Sequence, residues 1–548
     1  MKKNHAYHLA KHILQFDWVH RARLLCALYI AVVFSSLVVW YVLPIYPDET
    51  ALKMQLGRLI QDNFTINGLY AGCLSNIKQV PLILLPAAYI FSWFNLYLSP
   101  TEVRWLSFAS IIGISFACSL RAIHIRSFMA PLLFFSSLLG VAASSLVMLR
   151  YEALQLLNLF LCLVVICGIW FGATTYSKAF ISILIIFSFT LSIFTHLQGF
   201  IFLPICIYAL YKLYGFDEFR KYFLPITLGI SVLVVSGLIF NKSSCEQFPE
   251  VENFWRAMNI NWNELREDIS FVRLQAKLNL YARSFLYQYS YSIDYLPHIQ
   301  QFQSPKQGVK ILNYSIVFIL GMNVFMGLCL IVRACIEFPY KNFTRAISSY
   351  FDKNWATIFL ILPAFSLFFY DQVNNFYRNI FINFLIVVGL IFSIDIKNKV
   401  IIIFSRFYIA LILIAFIASV LMNWRYFRPQ FTPPQSYQGP SISRYINRNA
   451  LNASVDELVR QCSIDRSRGG IIVDDLTYEP LKNSPKLYPI TYVQGIANIA
   501  NVDISVVTDK FLPNAVIARC GSMEGAKLGI PFKARSGDIC CTTLGRGR

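Results

Sequence analysis

Residues 24–49 read LLCALYIAVVFSSLVVWYVLPIYPDE. No charged side chain occurs from residue 24 to residue 44, and about 20 apolar residues suffice for a helix to cross a bilayer. The stretch predicts a first membrane span with Tyr46, Pro47, Asp48 and Glu49 at its mouth. Thr50 to Asp62 follows as an amphipathic helix, Leu52, Leu56, Leu59 and Ile60 on one face and Lys53, Gln55, Arg58 and Gln61 on the other. Such a helix lies in the interface plane and fixes the two acids at a defined depth. Pro47 suits its entry and carboxylates suit its positive N-terminal end. Asp48 and Glu49 either begin an interfacial helix or do chemistry at the membrane surface.

The whole chain agrees with that opening. At 548 residues it is 56% hydrophobic, 16% aromatic and only 14% charged, which excludes an ordinary water-soluble globule. Its net charge of +19 is no nucleic-acid signal, because the basic residues collect in short loops between apolar runs, where they orient spans. Phospholipid head groups are the simplest anionic partner.

Lys2, Lys3, Lys11, Arg21 and Arg23 should hold the N-terminus in the cytoplasm, and the first span reads as an uncleaved signal anchor. Pro81 to Leu98, broken by Pro86, Trp93 and Asn95, reads as interfacial or re-entrant. With that choice Arg121, Lys178, Lys212, Arg333, Lys353 and Lys397 all fall on the cytoplasmic side; counting it as a crossing would invert them. The expectation is an α-helical polytopic membrane protein of about eleven spans, near 24–44, 105–120, 128–149, 154–172, 179–195, 199–214, 222–240, 309–333, 355–370, 380–395 and 401–422. Residues 1–422 would form the transmembrane domain, with non-cytoplasmic loops at 45–104 and 241–308.

Beyond Asn423 the composition changes. Pro429, Pro433 and Pro434 mark a linker, and residues 423–548 read as a small soluble α/β domain outside the cytoplasm. Ser454 and Glu457 suggest a capping box opening a helix from Val455 to Cys462. Gly470 to Val473, Asp503 to Val507 and Ala515 to Ala518 suggest strands. Cys462, Cys520, Cys540 and Cys541 would face an oxidising compartment, with three pairings open. No cysteine has metal-ligand spacing with histidine, and no phosphate loop is present.

Three constellations share the non-cytoplasmic side. Arg150 and Glu152 sit between two apolar runs with almost no loop; they cap helices as a pair, or Arg150 holds an anionic substrate. His196, within Thr195, His196, Leu197, Gln198 and Gly199, occupies a turn, where an interfacial role competes with a binding one. Tyr377 and Arg378 follow Asp371, Gln372, Asn374 and Asn375. An arginine there runs against the basic-inside bias, so it meets either lipid head groups or a specific anion.

Taken together, these pieces resemble the GT-C glycosyltransferase superfamily, which includes protein O-mannosyltransferases and the aminoarabinose transferase of lipid A. The resemblance rests on Asp48 and Glu49 after the first span, the proline-bearing interfacial segments, and Leu98, Ser99 and Pro100 running to Arg104. Arg150 with Glu152, Tyr377 with Arg378, and the C-terminal soluble domain complete it. Tyr151 stands where the family's Arg-Pro-Glu triplet has proline. The resemblance implies a bacterial inner-membrane enzyme that moves a sugar from a polyprenyl-phosphate donor to an envelope acceptor (lipid, polysaccharide or protein) at the periplasmic face, with inversion. Asp48 would be the general base, with Glu49 second, and Arg150, Arg378 and Arg58 would stabilise the leaving phosphate. Glu152, His196 and Tyr377 would line the substrate site. Some members use a divalent cation, which Asp48 and Glu49 could ligate through oxygen. A lipid-linked oligosaccharide flippase or transporter, or an O-antigen ligase or polymerase, would have a similar layout without needing the early acidic pair.

Overall fold

The computed structural model describes, with short gaps, residues 22–37, 100–147, 151–215, 271–286, 307–427 and 448–544. The expected interfacial helix 50–62, the Pro81–Leu98 segment and nearly all of the expected span 222–240 lie outside the described residues.

The N-terminal part is a body of apolar helices. In chain order these are α1 (Ala22–Leu37), α2 (Pro100–Ile125), α3 (Met129–Ser136), α4 (Ala142–Val147), α5 (Tyr151–Ile166), α6 (Thr175–Thr195), a 3-10 turn (Leu197–Phe202) and α7 (Leu203–Tyr214). There follow α8 (Phe271–Arg283), α9 (Gln307–Ile336), α10 (Phe343–Ala356), a π turn (Thr357–Ile361), α11 (Leu362–Tyr370), α12 (Phe376–Ser393) and α13 (Lys399–Phe427).

Three stretches, Tyr176–Ile193, Gln307–Ile336 and Phe407–Trp424, are long and apolar enough to cross a membrane; Ala22–Leu37, Glu152–Ile166, Gln198–Tyr214 and Arg378–Ser393 are apolar but shorter. Among the described residues three such stretches thus stand against the eleven spans expected for the whole chain. The run 128–149 breaks between α3 and α4, and the run 355–370 starts at Phe343 and passes through the π turn. The α9 and α13 stretches are only 28% and 33% buried, and Phe318, Phe325, Val332, Phe407, Ile414 and Leu421 point outward. Outward apolar side chains in this number belong to a surface that does not face water.

The break between α3 and α4 turns on Gly140. Its φ is +57°, and a Cβ there would lie 1.9 Å from the Phe285 carbonyl oxygen, so only glycine fits. Helix α13 satisfies the freed backbone: the Gly140 N–H donates to Ser419 Oγ at 3.1 Å, and Asn423 Nδ2 donates to the Gly140 carbonyl at 2.7 Å. Irregular backbone inside an apolar body survives only when protein supplies such partners.

A polar node sits deeper in the body. Asn383 Oδ1 on α12 accepts from Tyr281 on α8 at 3.0 Å and from Asn323 Nδ2 on α9 at 3.3 Å. Asn323 Nδ2 also donates to Ser136 Oγ on α3 at 3.1 Å, and its Oδ1 accepts from Tyr408 on α13 at 2.5 Å. Five helices are keyed together at this point. Part of the expected 241–308 loop is therefore core: Tyr281 and Phe285 are fully buried.

The C-terminal unit begins with α14 (Arg448–Gln461), then β1 (Ile471–Val473), α15 (Tyr478–Leu481), β2 (Leu487–Pro489), α16 (Ile490–Ala500), α17 (Ile504–Phe511), β3 (Ala515–Arg519), α18 (Cys520–Gly525), β4 (Ala534–Ser536) and β5 (Ile539–Thr543). The sheet order is β2-β1-β3-β5-β4; β2, β1 and β3 are parallel, and β5 and β4 form an antiparallel extension. Strand side chains alternate between faces. Ile472, Val516 and Cys540 accordingly pack into one apolar layer with α16 and α17, and Ile471, Ile517 and Cys541 into another with α14.

Two expectations fail in this unit. The helix expected to open at Val455 begins at Arg448, because the stripe Leu451, Val455 and Leu458 is buried as one continuous face. The strand expected at Asp503–Val507 is the start of α17. Asp503 Oδ1 accepts the Ser505 N–H at 2.8 Å, a cap that commits the chain to a helix. The cysteines pair Cys462–Cys541 and Cys520–Cys540, so neighbouring cysteines of β5 tie its two faces to different elements.

Candidate functional site

The helical body has two chemically different ends. At one, Lys212 meets Asp352 at 2.8 Å, Arg333 and Lys353 meet Glu337 at 2.9 and 3.1 Å, and the Lys178 ammonium lies 5.7 Å from the Tyr214 ring centre. These are residues expected to share one side of a membrane.

The other end holds buried polar side chains. Gly113 of α2 lies against the Phe160 ring of α5, and Cys118 and Arg121 lie beside Cys167, so α2 and α5 run parallel. That register puts Arg104, 0% exposed, level with the first turn of α5, where Glu152 is 7% exposed. Gln155, one turn further along α5, is 0% exposed. Below it Asn158 Nδ2 donates to the Ile185 carbonyl at 3.1 Å and to Ser188 Oγ at 2.9 Å, and its Oδ1 accepts the Cys206 thiol at 3.1 Å. The 3-10 turn brings buried Gln198 to the same end, its Gly199 backing onto Ser192 of α6.

Helix α12 supplies the rest. Phe381 meets Phe202 of the 3-10 turn with ring centres 6.1 Å apart, and Arg378 lies one turn outward of it, half-buried. Asn379 Nδ2 donates to Ser284 Oγ, past the end of α8, at 2.8 Å. Helix α12 packs on both α2 and α4, so its first turn lies toward the same end as those of α2 and α5.

Of the residues singled out from sequence, Glu152 and Arg378 come to this end. Tyr377 lies in the first turn of α12, but its side chain is outside the described residues, as are Asp48, Glu49, Arg58, Arg150 and His196. Sequence reasoning gave no role to Arg104 beyond the edge of a motif and overlooked Gln155. A buried ionisable or amide group in an apolar helix is the signal that marks both. Among the described residues no group of three or more His, Cys, Asp or Glu side chains could hold a metal; the acidic pair expected to do so lies outside them.

The chemistry available is anion binding away from water. Guanidinium groups at an apolar interface offer several donors to a phosphate, and low surrounding polarity strengthens the attraction. Compared with protein-family models, curated proteins and solved structures, the chain matches none.

Proposed function

We propose that this is an integral membrane glycosyltransferase of the GT-C type, moving a sugar from a polyprenyl-phosphate donor to an envelope acceptor on the non-cytoplasmic side. The observation that carries the reading is that the buried or half-buried Arg104, Glu152, Gln198 and Arg378 all lie toward the end of an apolar body opposite its Lys212–Asp352 and Arg333–Glu337 cluster. A donor of this class matches both parts: its isoprenoid tail lies along outward apolar faces such as those of α9 and α13, and its phosphate meets the arginines. The disulfides Cys462–Cys541 and Cys520–Cys540 support an oxidising, periplasm-like location for the C-terminal unit.

In this mechanism Asp48 takes the proton of the acceptor hydroxyl. The acceptor oxygen attacks the anomeric carbon from the face opposite the phosphate, the carbon–oxygen bond to phosphate breaks with its electron pair, and the configuration inverts. The leaving phosphate needs no proton, so one base suffices, while Arg104, Arg150 and Arg378 stabilise its charge. The test is transfer from polyprenyl-phosphate sugars by protein in vesicles, comparing Asp48→Asn and Arg378→Ala with the parent. Loss of transfer with normal membrane insertion supports the reading. Undiminished transfer in Asp48→Asn, or lipid translocation without transfer, replaces it with a ligase or a flippase.

A further inference from the structure

Gln155 is an anomaly in a well-satisfied interior. It is fully buried, and among the described residues neither its amide oxygen nor its amide nitrogen has a hydrogen-bond partner. One turn deeper on α5, Asn158 has both ends of its amide met by α6 and α7, so the helices here do supply partners where the fold requires them. A buried amide left without partners lowers stability, and apolar leucine or methionine would fill the same volume at no such cost. The group also lies one turn below Glu152, and the next turn of α6 toward that end carries the fully buried Ser192.

We propose that Gln155 reads the sugar: its carboxamide exchanges hydrogen bonds with hydroxyl groups of the sugar borne by the polyprenyl phosphate. This rests on the glycosyltransferase reading above and assigns the specificity of its pocket. A carboxamide presents one acceptor and two donor hydrogens, the complement of adjacent sugar hydroxyls, and carries no charge to compete with the arginines for phosphate. A site built to hydrogen-bond a hydroxyl discriminates sharply, because a ligand lacking it leaves the amide buried and unpaired.

The test uses full-length protein in detergent with undecaprenyl phosphate, bare or carrying glucose, galactose, mannose or arabinose. Gln155→Leu and Gln155→Met are compared with the parent. The parent should bind at least one sugar-bearing lipid more tightly than the bare one. Both variants should hold the bare lipid as the parent does, lose the sugar's contribution by on the order of tenfold, and melt at the same or a higher temperature. Variants that keep the parent's sugar preference, or that lose the bare lipid as well, overturn the assignment and leave the phosphate-binding reading standing. A parent with no sugar preference also overturns it. A parent that binds none of the lipids removes the glycosyltransferase reading and this one with it.

Discussion

Arg519 Nε donates to Asp474 Oδ2 at 2.8 Å, joining the last residue of β3 to the residue that follows β1. The carboxylate is almost wholly enclosed and takes further bonds from the N–H groups of Leu476, Thr477 and Arg519. Burial works to raise its pKa, but the Arg519 charge and these bonds win and hold it below the ordinary carboxylate value. Replacing Asp474 with asparagine removes the carboxylate charge that faces the buried Arg519 guanidinium, at a cost of roughly 3–5 kcal/mol. Amide exchange of β1 and β3 in the full-length protein should rise accordingly, and unchanged protection would mean that the pair adds nothing.

The same carboxylate sets a pH limit. A group whose folded pKa is depressed gives its stability above the unfolded value, about 3.9 for aspartate, and loses it as pH falls through the folded value. Exchange protection of β1 and β3, corrected for intrinsic rates, should hold level above about pH 4 and fall below it. In Asp474→Asn that acid-dependent loss should be absent.

Disulfides from Cys540 and Cys541 close loops of very different length, with sequence separations of 20 and 79. Restricting a longer loop removes more freedom from the unfolded chain, and the difference here corresponds to about 1 kcal/mol. Opening Cys462–Cys541 by the double change to alanine should therefore destabilise the C-terminal unit more than opening Cys520–Cys540. Mass spectrometry of the unreduced protein should recover these two pairings, and local exchange rates should rank the two double variants. The opposite ranking would show that strain or denatured-state structure outweighs the loop term.

Much of this architecture could be read from residue patterns. Long apolar runs marked the helices; Glu152 stood out because a charge in a nearly loopless link needs a tertiary reason, and Arg378 because an outer arginine runs against the basic-inside bias. Patterns failed where two local signals competed. Ile504, Val506 and Val507 argued for a strand, yet the Asp503 cap won and α17 buried Ile504 and Val507 on one face. Ser454 with Glu457 imitated a helix start inside a helix whose stripe had begun at Leu451. Neither the isolation of Gln155 nor the seam between Gly140 and α13 leaves a local trace, because each depends on elements far along the chain.

Gly140 and Gly168 separate backbone strain from steric exclusion. Both have positive φ, +57° and +65°, but a Cβ at Gly168 meets nothing within 4 Å among the described residues, whereas one at Gly140 would meet the Phe285 carbonyl. Gly168→Ala should cost only the left-handed conformation, about 1–2 kcal/mol. Gly140→Ala must in addition push α8 away from the break, disturbing the Ser419 and Asn423 bonds. It should sharply reduce the folded protein recovered after detergent extraction and gel filtration, with Gly168→Ala close to the parent. Equal recovery of the two would mean that Phe285 yields freely.

Asn323 and Asn383 share one hydrogen bond inside the five-helix node, and each also serves a tyrosine: Tyr408 for Asn323, Tyr281 for Asn383. Leucine at either position breaks the shared bond and leaves a buried hydroxyl to find another partner, costing roughly 1–3 kcal/mol. Tyr408 has a fallback in the Ile319 carbonyl at 3.3 Å; Tyr281 has none as close among the described residues. Asn383→Leu should therefore be the more damaging single change. Because the shared bond can be lost only once, the double variant should fall short of the sum by about 0.5 kcal/mol or more. Unfolding of the purified protein by SDS in mixed micelles measures all three. Simple additivity would mean that the two amides act independently and that the five helices are held by their apolar contacts alone.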